Sequence, residues 1–198
     1  MKVSSEVKIL LAPCGYRKNG NSFWKIENGF YKLLQFQGGA YGDYFFLNAG
    51  LHPVGLPLLY AGQLCIPERP RITQCALRER LEQITDRAEP FRGASVGLPQ
   101  GTEAQVLTAV LPDVERWLST WGSCAAILAA PLEALSPLFS AVPLVWERAF
   151  YLLKTYCAWM SGDRAQADEY FCICRQKNPD MDFSLVDRHM SDLTSRIP

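Results

Sequence analysis

Two histidines are the whole imidazole supply of this 198-residue chain, and that limits the chemistry it can do. His189 lies two and three positions from Asp187 and Asp192 in a C-terminal helical stretch and reads as a solvated surface residue. His52, in Gly50-Leu51-His52-Pro53, follows a strand and precedes a proline-rich loop, a position where a side chain can serve a site, or, on the plainer reading, hold a loop carbonyl. The seven cysteines include no C-x-x-C pair. Cys172 and Cys174 are two apart on a helix, diverge by about 200°, and do not chelate one ion together. Cys65 and Cys75 flank the proline loop near His52, yet nothing in their spacing marks either as a nucleophile. Gly38, Gly39 and Gly42 fall between two strands, where they make a turn rather than a phosphate loop. Asp163, Asp168 and Glu169 sit on a helical hairpin, in the place of capping and solubilising carboxylates. No catalytic residue, metal set or cofactor site is assigned, and the chain reads as leaning away from enzymes.

Binding chemistry is better supplied. Arg17 and Lys18 lie before the first strand, Gln35 and Gln37 share a face of the second, Asn48 lies on the third, and Arg78 and Arg80 share a face if their segment is extended. With His52, and with Trp24 or Tyr44 nearby, these cations and amides can converge on one polar sheet face as a site for an anionic ligand or a partner protein. The plainer reading of the same residues is a solvated sheet face. Trp117, Trp121, Trp146 and Trp159 stand at core-like helical positions.

The elements that must position these residues are legible in the patterning. Val3, Val7, Leu10 and Leu11 form the stripe of a short helix, with Ser4 or Ser5 as cap and Pro13 as stop. After a loop from Gly15 to Gly20, two aromatic runs, 22–27 and 30–37, meet across Asn28-Gly29, the dipeptide that supplies the positive φ values of a type I′ hairpin turn. A further turn, Gly38 to Asp43, leads into Tyr44 to Gly50 and completes an antiparallel meander of three to five strands. Residues 51–70 hold four prolines and read as an extended loop with at most a short turn of helix. The segment 72–84 is ambiguous, alternating only roughly while Leu77, Leu81 and Ile84 fit a helix. Beyond it, Thr102 with Gln105 forms a capping box before a helix that Pro112 kinks or splits. A short helical stretch from Cys124 to Leu135 is broken at Pro131. Leu144–Met160 and Arg164–Gln176, joined at Ser161-Gly162-Asp163, make an αα-hairpin. Ser184 caps a last helix carrying Val186, Met190, Leu193 and Ile197.

The class is therefore α+β: an N-terminal helix, the β-meander, and a C-terminal helical subdomain. The composition shift near residue 100 divides a sheet domain, 1–100, from a helical subdomain, 101–198, packed on it. With 20 Lys plus Arg against 20 Asp plus Glu, zero formal charge argues against a duplex-binding protein held by phosphate contacts. Apolar runs fall short of a membrane span. The odd, small cysteine number suits a reducing, cytoplasmic setting.

Gly15-Tyr16-Arg17-Lys18-Asn19-Gly20-Asn21-Ser22-Phe23 resembles a bacterial family catalogued as domain of unknown function 4304. The likeness continues through Leu34-Gln35-Phe36-Gln37 and Phe46-Leu47-Asn48-Ala49-Gly50, and more loosely through Cys75 to Leu81, covering about residues 5–85. Gly38-Gly39 stand where the family usually has a basic residue and Ser. The resemblance implies the fold, with a strand through about Leu77, and no activity. By analogy with small bacterial proteins of this kind, the expected function is a non-enzymatic protein-binding module, such as an immunity protein that neutralises a toxin through the sheet face and the 51–70 loop. Two rivals stand beside it. One is a small-ligand or nucleic-acid-processing enzyme with Arg78, Arg80, Lys18 and His52 around an anion. The other is a homo-oligomeric scaffold, with a homodimer as its simplest form.

Overall fold

At Asn28 and Gly29 the backbone takes φ values of 52° and 78°, as a type I′ turn demands. That turn joins β2 (Ser22–Glu27) to β3 (Phe30–Gly38) in the register Glu27↔Phe30 to Ser22↔Gln35. Strand β4 (Tyr44–Pro53) returns along β3, pairing Gly38 with Phe45 and Phe30 with Pro53. A computed structural model describes residues 3–40, 42–60, 63–92, 97–135, 138 and 143–194. In it β1 (Arg17–Asn19) and β7 (Leu77–Arg80) flank the meander, giving an antiparallel sheet of order β1-β2-β3-β4-β7, with β8 (Leu98–Pro99) pairing the start of β4.

Several strands depart from expectation. Residues 17–19, expected in a loop, form β1, folded onto β2 by a tight turn in which Gly20 has φ 62°. β4 runs three residues past Gly50, and its proline stands at the strand end, where its missing N–H breaks no ladder. The expected 51–70 loop contains a small hairpin, β5 (Leu58–Tyr60) with β6 (Gln63–Cys65). The strand expected through Leu77 instead begins there: Ile72–Gln74 is a single 3₁₀ turn, then β7 pairs with β4, and α2 (Leu81–Ile84) follows. The helical spacing of Leu77, Leu81 and Ile84 reflects a strand running directly into a helix.

Helices α1 (Ser5–Leu11) and α3 (Glu103–Trp121) bury their stripes, Val7 and Leu11 with Val106, Val110, Val114 and Leu118, in a common core with Phe23, Leu34, Phe36, Phe45, Leu47 and Leu51 of the sheet. Alternation along the strands puts those six residues on one face and gives the other a mixture of polar groups and the side chains of Trp24, Tyr31, Leu33 and Phe46. Pro112 lies on an exposed part of α3, which runs through it unsplit, anchored by buried residues on both sides. The expected capping box does not form: the Thr102 hydroxyl donates to the Pro99 carbonyl at 2.7 Å. Neither does Ser4 cap α1 with its side chain.

In the second half, α4 (Cys124–Ala129) and α5 (Leu132–Leu135) are parted at Pro131 as read. Helices α6 (Pro143–Met160) and α7 (Arg164–Gln176) form the αα-hairpin, with the Asp163 carboxylate accepting the Gln166 N–H at 3.0 Å. In α8 (Ser184–Thr194) the Ser184 N–H is satisfied by Asp182 at 2.8 Å rather than Ser184 acting as the cap. Val186 is buried and Met190 packs beside it, while the side chain of Leu193 and all of Ile197 lie outside the described residues. One hydrophobic cluster runs from the sheet through α3 into Phe150, Leu153 and Tyr156 of α6 and Val186 of α8. No helix among the described residues is long and apolar enough to cross a membrane.

Where α3 crosses the sheet end, the core face carries charge. The Lys32 ammonium, 1% exposed, is bound by Glu27 and lies 3.5 Å from the Ser119 hydroxyl, while Lys25 pairs with Glu115 at 2.9 Å and Tyr16 donates to the same carboxylate at 2.8 Å. The Lys32 hydrogen bond holds the Glu27 carboxyl below its ordinary pKa. This network locks the seam between α3 and the sheet.

Candidate functional site: a polar trough across the sheet

The face of the sheet turned away from α3 is divided in two. Over one half lie Val54 and the stretch 68–75: the Tyr31 hydroxyl donates to the Glu68 carbonyl at 2.5 Å, and Tyr31, Leu33 and Ile72 form a small apolar cluster with Trp24, Val54 and Cys75. Gly50 allows this close seating, because a Cβ there would stand 2.6 Å from Ile72 Cδ1 and 2.7 Å from Cys75 Sγ. The other half stays open as a groove of about 770 Å³, lined by Gln35, Gln37, Asn48, Arg78 and Arg80, with Ile72, Thr73, Glu79 and Gln83 completing it.

Five of the eight residues expected to bind therefore line one groove. Asn48 Nδ2 donates to Gln37 Oε1 at 3.0 Å, which fixes both amides while leaving further donors and acceptors of each to a ligand. The Arg80 guanidinium lies 4.4 Å from the Phe46 ring centroid and is in no ion pair among the described residues. Burial raises the Glu79 carboxyl, whose Oε1 accepts the Arg80 N–H at 3.0 Å.

The other three expected residues stand elsewhere. Lys18 turns to the core side, over the Phe23 ring, with its ammonium 3.3 Å from the Val3 carbonyl, because it alternates with Arg17 and Asn19 on β1. Arg17 lies over Trp24, 5.7 Å from the ring centroid, outside the groove. His52 shares the open face in register but is fully buried. Its Nε2 donates to the Leu56 carbonyl at 3.0 Å, its Nδ1 has no partner among the described residues, and burial pulls its pKa down to about 4. His52 pins a turn as a neutral imidazole and does not reach a ligand. Burial also pushes the Cys75 thiol well up, which removes nucleophilic character.

A family model, Domain of unknown function (DUF4304), matches residues 7–120. The chain belongs to this family. No curated protein and no solved structure matches it. The DUF4304 span reaches from α1 to the last turn of α3, so it takes in the sheet and the helices that cover its apolar face. All the groove residues lie within the DUF4304 span, and the helices α4–α8 lie beyond it.

A second part of the DUF4304 sheet face is not among the sequence expectations. Beside the first groove lies another of about 560 Å³, lined by Asn19, Ser22, Trp24, Gln35 and the 68–73 segment. Arg69 stacks over Trp24 at 5.5 Å, on the ring that Arg17 also approaches. A signal for it exists: the two-residue turn at Asn28-Gly29 fixes Ser22 opposite Gln35 and so on the same face. Arg69 is harder to find, because it stands in a stretch that reads as extended loop.

Proposed function

We propose that the chain is a non-enzymatic protein-binding module that docks an acidic segment of a partner protein on the arginine and amide groove of its sheet. The observation that carries this reading is the convergence of Arg78, Arg80, Gln35, Gln37 and Asn48 on one open face. Guanidiniums are the side chains best shaped for carboxylates, and primary amides answer the N–H and C=O groups of a peptide. The stacking of Arg80 on Phe46 holds the cation in place before binding, which reduces the entropy lost on docking. An immunity protein of the bacterial cytoplasm, neutralising a toxin by covering an acidic surface, fits this chemistry.

The test is co-purification from the native host of the wild type and of the double variant Arg78→Glu, Arg80→Glu. A stoichiometric protein partner that the wild type retains, the variant loses, and purified components reconstitute supports the reading. Equal recovery by both proteins contradicts the groove as the docking surface. If the partner is a toxin, co-expression of the wild type restores growth and the double variant fails to.

A further inference from the structure

The registers of four strand pairings connect into one line across the sheet. Asn19 faces Ser22, Ser22 faces Gln35, Gln35 faces Asn48, and Asn48 faces Arg80, so a single rung of five strands is polar from edge to edge. The two grooves meet on this rung at Gln35, and both abut Ile72 and Thr73. They are two halves of one trough, running perpendicular to the strands, with the rung as its floor and the Arg69–Thr73 segment as one wall.

Charge is unevenly spread along it. At the β7 end stand Arg78 and Arg80; at the β2 end Arg69 stacks on Trp24, and Arg71 lines the same half from the wall. Between them the floor is hydroxyl and amide. At about 4.8 Å per strand, β2 to β7 spans about 14 Å and β1 to β7 about 19 Å, the length of roughly four to six extended residues.

We infer that the trough takes an extended peptide crossing the strands, with acidic side chains at both of its ends four to six residues apart and small or polar residues between. This rests on the proposed binding of an acidic protein segment and specifies its pattern. The amide floor matches the uncharged peptide groups of the middle residues. A nucleic-acid strand would instead place phosphates over the uncharged amide and hydroxyl floor between the two ends.

Fluorescence anisotropy of labelled probes on the full chain tests this. One probe is an eight-residue peptide with two aspartates at each end of a Gly-Ser middle. The second has aspartates at one end only, and the third is an eight-nucleotide oligothymidylate. The two-ended peptide is expected to bind at least about tenfold more tightly than the one-ended, because the second contact is made at high effective concentration. Arg69→Glu and Arg80→Glu should each remove that advantage at unchanged thermal stability. Equal affinity of the two peptides, with binding still lost in Arg80→Glu, overturns the two-ended pattern and leaves the acidic-segment reading standing. No peptide binding, or tighter binding of the oligonucleotide, overturns both.

Discussion

Arg80 and His52 show how far position on one sheet face determines what a side chain can do. Both lie on the same side of the sheet, yet Arg80 is exposed on Phe46 and His52 is buried, its ring bound to the Leu56 carbonyl. Arg80→Ala is expected to change stability by less than about 0.5 kcal/mol, as exposed substitutions do, while weakening binding of an acidic peptide about tenfold. Thermal unfolding beside a binding isotherm checks both halves. His52 should reveal itself through pH. Its folded-state pKa of about 4 lies below the ordinary 6.5, so between these values the unfolded chain binds the extra proton. Stability contributed by the neutral imidazole is complete above pH 6.5 and is lost as pH falls towards 4, by up to about 3 kcal/mol. Urea unfolding across that window measures the slope, and His52→Gln should flatten it. At the seam, Glu27→Gln leaves the Lys32 ammonium buried without its carboxylate and should cost about 2 kcal/mol, reduced from a fully buried pair because Glu27 is half exposed. The denaturant midpoint of that variant is the check. Side-chain identity made the arginine and amide set legible in the sequence. The burial of His52 was not legible, because it depends on how the proline-rich stretch that follows it turns back over the sheet, with Leu56 accepting its ring N–H.

At the scale of elements, the close seating of the 3₁₀ turn Ile72–Gln74 on β4 makes the trough. Gly50→Ala would drive a methyl into Ile72 and Cys75. The expected result is a loss of about 1–3 kcal/mol, as for overpacking, together with weaker peptide binding because the wall lifts. Unfolding and binding measured on the same variant test this, and a variant with unchanged affinity would show that the wall plays no part. The β2–β3 hairpin was readable because Asn28-Gly29 fixes turn and register locally. The short strands β1, β5, β6 and β7 were not, since three or four residues carry too little alternation to stand out, and their pairing partners supply the stability. Pro112 was misleading for a related reason: buried residues on both sides hold α3 in one piece.

Across the whole molecule, the balanced charge is an average over regions: Arg69, Arg71, Arg78 and Arg80 line the trough with Glu68 and Glu79, while Arg87, Arg92, Arg116 and Arg175 pair with carboxylates elsewhere. A core cluster that continues from Phe23 and Leu51 of the sheet to Phe150 and Leu153 of α6 joins the DUF4304 span to the helices beyond it. The full chain should therefore unfold in one cooperative step, with far-ultraviolet circular dichroism and tryptophan fluorescence giving coincident transitions. Two separated transitions would mean that the halves are energetically independent. Composition at this scale indicated the α+β class but could not reveal the trough, which exists only once five strands are in register. The most direct measurement of its role is an amide-detected nuclear magnetic resonance titration with the two-ended acidic peptide, following side-chain NH₂ signals. Shifts concentrated on Asn19, Gln35, Gln37 and Asn48 are the predicted result; shifts confined to surfaces outside the trough, or none at all, would contradict it.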